Sequence, residues 1–257
     1  MKALINLTPW ESKRLIARGL AADADVEQCM ENGRIVVARG IHCGYVLEEL
    51  TGKPIEKNKF VAGMITEPLE KRLGATNPAI RLSEVMIENG VPKDVQITPE
   101  LIVSLEKDDI IVKSANALDS DYIPAILASH PNGGTYGAFW STALARGIKV
   151  VCPVSLERLV IDSVLESAST MGITQIDLSM GAKCGLLAMP SAFAFTEIDA
   201  METLFPEIVA NHVASGGLGR GGEGSVTLLL EGTEEEVRAA FELVLQLAAE
   251  EDPLDPL

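Results

Sequence analysis

The sequence predicts an α/β protein: a mostly parallel sheet flanked by helices, followed by a small α+β domain. Three observations carry that expectation. Short apolar runs rich in valine and isoleucine at 34–38, 109–113 and 149–153 alternate with helical stretches. The alternation changes near Met171, where strand-like runs follow one another. Aromatic residues are only 4% of the chain, so the core must be built from aliphatic side chains.

The elements follow in order. Thr8-Pro9-Trp10-Glu11 opens a helix that runs to about Leu20, with Thr8 as cap and Glu11 three residues on. A second helix runs from about Asp23 to the stop signal Asn32-Gly33. Residues 34–38 then read as a buried strand ending at Arg39-Gly40, and 44–50 as a helix closed by Thr51-Gly52. Strands are expected at 60–65, 80–82, 109–113 and 149–153, with a helix at 134–146. Past Met171, strands are expected at 173–178, 185–189, 208–214 and 225–230, with a helix at 196–204. The glycine-rich run 216–222 reads as a loop. Thr233 and Glu236 form a second capping box, opening a helix with Val237, Ala240, Phe241, Val244 and Leu247 on one face. This order suits a ferredoxin-like sandwich. The expected organisation is an α/β domain at 1–170, a small α+β domain at 171–250 and an acidic tail at 251–257.

Composition narrows the functional classes. The 257 residues include 21 Lys and Arg against 37 Asp and Glu, a net charge of −16. Such an excess repels nucleic acid and anionic membranes, so neither is an expected partner. An anionic small molecule would have to bind where charge or backbone amides are locally positive. Cys29, Cys43, Cys152 and Cys184 are far apart, and His130 and His212 have no ligand-spaced neighbours, so neither metal nor cofactor is expected. MKALINLTPWESKR lacks the apolar core of a signal peptide, and no apolar run approaches the ~18 residues of a membrane span. A cytoplasmic protein with reduced thiols is expected.

Three segments carry a resemblance. RIVVARGIHCGYVLEEL, IIVKSANALD and GGTYGAFWSTALARGIKVVCPV together resemble the ribose-5-phosphate isomerase and CoA-transferase-like superfamily, shared by the sugar-sensing domains of DeoR-type repressors. The similarity spans roughly 33–165. It implies a phosphate-facing turn at 40–44, although the threonines of the family turn are absent here. The family's catalytic lysine and acidic loop also have no counterpart. A sugar phosphate or carboxylate ligand, aldose–ketose isomerisation and a homo-oligomer are what the resemblance implies. Its CoA-transferase branch would make Glu157 a nucleophile, and its repressor branch would make the chain a non-catalytic sensor.

Parallel sheets bind ligands at the carboxyl ends of their strands, which singles out the segments after each strand. Gly40 and Gly44 around a strand-to-helix turn let amides converge on an anion, with His42 and Cys43 inside the turn. A tight turn with a buried thiol is the plain alternative. Lys113 stands at a strand end, followed by Asn116, Asp119 and Asp121. Here Lys113 would stabilise an enediolate oxygen and Asp119 or Asp121 would move the proton. The alternative is an Asx-rich turn bonded to its own backbone. Gly133, Gly134 and Thr135 open a helix as a second amide-rich start. Arg220, in the glycine-rich loop, would clamp the anion from the C-terminal part.

Overall fold

The computed structural model describes residues 1–66, 72–219 and 221–250. Arg220 and the tail 251–257 lie outside the described residues. The chain begins on a strand the sequence reading passed over, β1 (Lys2–Leu7), with Ile5 and Leu7 buried. Thr8 then caps α1 (Pro9–Ala21) with the expected box. Its Oγ1 accepts from Glu11 N at 3.5 Å, and its N–H donates to Glu11 Oε2 at 2.7 Å. Asp23 caps α2 (Ala24–Asn32). In β2 (Arg34–Val37) Ile35, Val36 and Val37 are all buried, as in a strand covered on both faces. Then comes α3 (Ile41–Thr51), ended by left-handed Gly52.

Four strands run parallel in the order β12 (Phe193–Phe195), β10 (Lys149–Pro153), β7 (Ile110–Val112) and β2. Beyond β2 the sheet changes direction. β2 pairs antiparallel with β5 (Glu84–Glu88), which returns as β6 (Val91–Val95) through Asn89-Gly90, at φ 49° and 76°. Asn-Gly is the strongest short hairpin signal, and it makes this sheet mixed. Antiparallel pairings outnumber parallel ones across the described residues. The parallel expectation therefore holds for one four-stranded segment only.

Smaller sheets flank this one. β3 (Gly63–Ile65) and β4 (Leu73–Ala75) form a ribbon, so the strand expected at 60–65 starts late. The strand expected at 80–82 is replaced by a 3-10 turn at Pro78–Ile80, capped by Asn77. After α4 (Pro99–Ser104), β8 (Ala117–Leu118) and β9 (Pro124–Ala128) pair with the later β11 (Gly185–Ala188). Residues 173–178 form turns rather than a strand. The remaining helices are α5 (Gly134–Arg146), α6 (Val164–Thr170), α7 (Glu197–Leu204) and α8 (Glu234–Glu250).

No ferredoxin-like sandwich forms from 171–250, because its strands are shared among three sheets. β12 completes the large sheet and β11 the small one. β13 (Val209–Ser215) and β14 (Val226–Glu231) take β1 as their third strand. Pairings thus cross residue 170, and one core cluster runs from Ile5 to Leu247. On α8, Val237, Ala240, Val244 and Leu247 are buried, but Phe241 is 40% exposed. α1 packs against both α3 and α7. A Cβ on Gly19 would stand 2.5 Å from Ala200 Cα, so this crossing requires glycine. Among the described residues no helix is long and apolar enough to cross a membrane.

Candidate functional site

A cleft of about 750 Å³ opens where β2 and β7 end. Its floor is made of the residues that follow these strands: Arg39, Gly40 and Ile41 after β2, Lys113 and Ser114 after β7. One wall is the β3–β4 ribbon, and the other is the segment from the end of β9 into α5. The start of β5 contributes Glu84.

Two helices begin at this cleft, and both begin without a side-chain cap. α3 starts at Gly40 and α5 at Gly133, neither with a side-chain hydrogen bond to its first turn. The other helices are capped by Thr8, Asp23, Thr98, Ser163, Thr196 and Thr233. First-turn amides have no intrahelical acceptor, and the dipole makes that end positive. The two helices left open are the two that face the cleft. Packing is close at Gly40 as well: a Cβ there would lie 2.0 Å from Ser114 Oγ and would turn that hydroxyl aside.

Charge in the cleft runs against that of the chain. Arg39, Arg81, Lys113 and Arg158 line it, and Glu84 is the one lining carboxylate among the described residues. Arg39 pairs with buried Glu84, which also accepts from Thr135 Oγ1 at 3.4 Å. Arg81 is held by neutral oxygens: Thr76 Oγ1 at 2.9 Å, Thr76 O at 2.6 Å and Ala62 O at 3.2 Å. Burial, and then the field of Arg39, holds its guanidinium below the usual value. Lys113 Nζ donates to Arg39 O at 3.0 Å and has no carboxylate partner among the described residues. Burial pushes this ammonium below its ordinary value of 10.5, and Arg158 acts in the same direction. Arg158 donates to Ala115 O and lies 3.6 Å from Glu157 Oε1.

Of the residues expected here, Gly40, Lys113, Asn116, Gly133, Gly134 and Thr135 do line the cleft. Asn116 Oδ1 is occupied, accepting from Leu127 N at 3.0 Å. His42, Cys43 and Gly44 do not line it. The helix begins three residues earlier than expected, which turns these side chains inward. His42 is fully buried, and its Nε2 accepts from Ser155 N at 3.1 Å. Burial, then Arg158 and Lys13, holds this imidazole well below its usual 6.5. Cys43 Sγ accepts from Ser114 N at 3.1 Å, and burial raises its thiol above the ordinary range. Both residues position the strand-end loops from behind.

The expected proton carriers are also elsewhere. Asp119 is buried, with its carboxylate accepting from Asp121 N (3.1 Å), Ile123 N (2.9 Å) and Val164 N (3.0 Å). It is the backbone-bonded Asx turn, extended to the start of α6. Asp121 is exposed and off the cleft. Glu157, the nucleophile of the CoA-transferase reading, binds Lys13 Nζ at 3.0 Å and does not line the cleft. Arg220 lies outside the described residues. Sequence reasoning missed Arg39, Arg81 and Glu84. Arg39 had a signal, since it directly follows a strand. Arg81 and Glu84 reach the cleft only through the hairpin that returns against β2.

Comparison with protein-family models, curated proteins and solved structures finds no match.

Proposed function

We propose that the cleft binds a small anionic metabolite, a sugar phosphate or a carboxylate. One observation carries this reading: among the described residues, two uncapped helix starts and four cations converge against a single carboxylate, in a chain of charge −16. A desolvated cation without a counter-ion is costly, and an anionic guest supplies one. Backbone amides at two helix starts fit phosphate or carboxylate oxygens, and guanidinium forks add bidentate contacts.

Isomerase-like proton transfer next to a carbonyl is the chemistry that suits this set. Lys113 would polarise the carbonyl oxygen. With Asp119 and Asp121 turned away, Glu84 is the carboxylate among the described residues left to move the proton, and its pairing with Arg39 and Thr135 orients it. The test is thermal unfolding with inorganic phosphate, ribose 5-phosphate and citrate, beside product detection by NMR. Binding should raise Tm, and Arg81→Ala should abolish the rise. Stabilisation without conversion makes the protein a sensor. No shift with any anion ends the reading.

A further inference from the structure

Of the four cations that line the cleft among the described residues, one differs in kind. Arg39, Arg81 and Arg158 carry guanidiniums, which do not lose their protons in proteins. Lys113 carries an amine, and an amine without a proton is a nucleophile. Three permanent charges serve an anion, and a cation of a different kind can do more than add to them. A group that attacks carbon adds a reaction.

We propose that Lys113 is a covalent nucleophile that captures the carbonyl carbon of an anionic aldehyde or ketone as an imine. The position supports this. Lys113 follows β7 at the carboxyl end of the parallel segment, and its side chain is half-buried in the cleft floor. Its Nζ is fixed by Arg39 O at 3.0 Å, a neutral acceptor that holds an NH2 as well as an NH3⁺. No carboxylate among the described residues pairs with it. Among its charged neighbours Arg158 favours loss of the proton and Glu84 opposes it, while the buried thiols of Cys43 and Cys152 stay neutral beside it. Burial outweighs the carboxylate and favours the neutral amine.

The step balances without an oxidant or reductant. The nitrogen lone pair forms the C–N bond while the carbonyl π electrons move to oxygen. A carbinolamine results. Both amine hydrogens then leave with that oxygen as water, and the C=N bond remains. The inference rests on the anion-binding reading, because the guanidiniums and helix starts are what hold the substrate's charged end. It narrows the substrate class to a carbonyl compound bearing a phosphate or a carboxylate.

The full chain is incubated with dihydroxyacetone phosphate in one arm and pyruvate in the other. Sodium borohydride then reduces any imine to a stable secondary amine, and peptide mass mapping locates it. A single adduct on Lys113 in one arm is expected, at least tenfold slower to form when inorganic phosphate competes. The arm that labels identifies the anionic group. Lys113→Met should remove the adduct. Mapping of the unaltered chain decides the matter even if that variant fails to fold. Half-maximal labelling of Lys113 should fall below the pH of 10.5 that is ordinary for a lysine. Label spread over Lys2, Lys53 and Lys107, or persisting in Lys113→Met, overturns the proposal. So does the absence of any adduct while phosphate still raises Tm, which leaves the anion reading intact. Absence of both effects removes both.

Discussion

Among the described residues, two groups of buried or half-buried cations are partnered differently. Between α1 and α3, each cation meets carboxylates. Arg14 reaches Glu48 and Glu49, Lys57 lies 2.6 Å from Glu48, and Lys13 lies 3.0 Å from Glu157. Arg14 and Lys57 also lie over the Tyr45 ring, at 4.9 and 4.7 Å from its centre. Burial alone would raise the Glu48 carboxyl, but its bonds to Lys57 and Arg14 outweigh that and hold it below the usual range. In the cleft, by contrast, Arg81 and Lys113 rest on carbonyl and hydroxyl oxygens. The first group is a closed network that fixes one helix on another. The second is open on one side, and that opening is where a negative guest completes it.

Removing a carboxylate should therefore hurt most where the network is closed. Glu48→Gln leaves Arg14 and Lys57 buried beside a neutral amide, and a loss of about 3 kcal/mol is expected in urea unfolding. A change under about 1 kcal/mol would mean that this network contributes no more than a surface pair. The cleft should respond in the opposite sense. Lys113→Met removes a half-buried amine that has no carboxylate partner among the described residues, so stability without ligand should hold or rise by about 1 kcal/mol, while the phosphate-induced Tm shift shrinks. Loss of stability with an unchanged phosphate shift would place Lys113 among the structural cations instead.

The same contrast explains what was readable from sequence. Caps that use a side chain announce themselves, and Thr8, Asp23, Thr196 and Thr233 mark helix starts within a residue or so of those observed. α3 starts on a glycine, so no Ser, Thr, Asp or Asn marks its first turn. From sequence the helix starts at Gly44, with His42 and Cys43 in the preceding turn. At α3 the feature that opens the site to an anion also hides the helix start, whereas α5, equally uncapped, is legible at 134–146. Buried strands were readable because both faces are apolar, as in Ile35, Val36 and Val37. β1 was not, since Lys2, Leu4 and Asn6 alternate with its buried residues and its partner β14 lies at the far end of the chain. Glu84 and Arg81 needed the β5–β6 hairpin, whose Asn-Gly signal was present and went unused.

Protonation behind the cleft offers a finer probe. His42 accepts from Ser155 N through Nε2, so the buried ring is neutral, with its folded pKa held below the unfolded 6.5. Between those two values the unfolded chain binds the extra proton. Stability then falls as pH drops below 6.5, by up to about 1.4 kcal/mol per pH unit, until the folded pKa is reached. His42→Gln keeps an acceptor for Ser155 N without the titration. Its Tm should fall less between pH 7 and pH 5 than that of the unaltered chain. Equal slopes would show that the imidazole does not titrate on unfolding, and that its burial does not matter to the loops it holds.

The smallest expected effect isolates position from charge. Lys149 opens β10 at the opposite, amino end of the parallel strands, 2.5 Å from Asp25 Oδ2. A second depression of about 250 Å³ lies there, and it mixes Lys107 and Lys149 with Asp25, Asp108 and Asp109. Neutralising Lys149 removes one positive charge from the same sheet and the same net total as neutralising Lys113. If overall charge governed anion binding, the two variants would lose it alike. If the strand ends govern it, Lys149→Gln should keep the full phosphate-induced Tm shift and change stability by less than about 0.5 kcal/mol, as expected for a half-exposed pair. A shift halved in Lys149→Gln would dissolve the distinction between the two ends of the sheet.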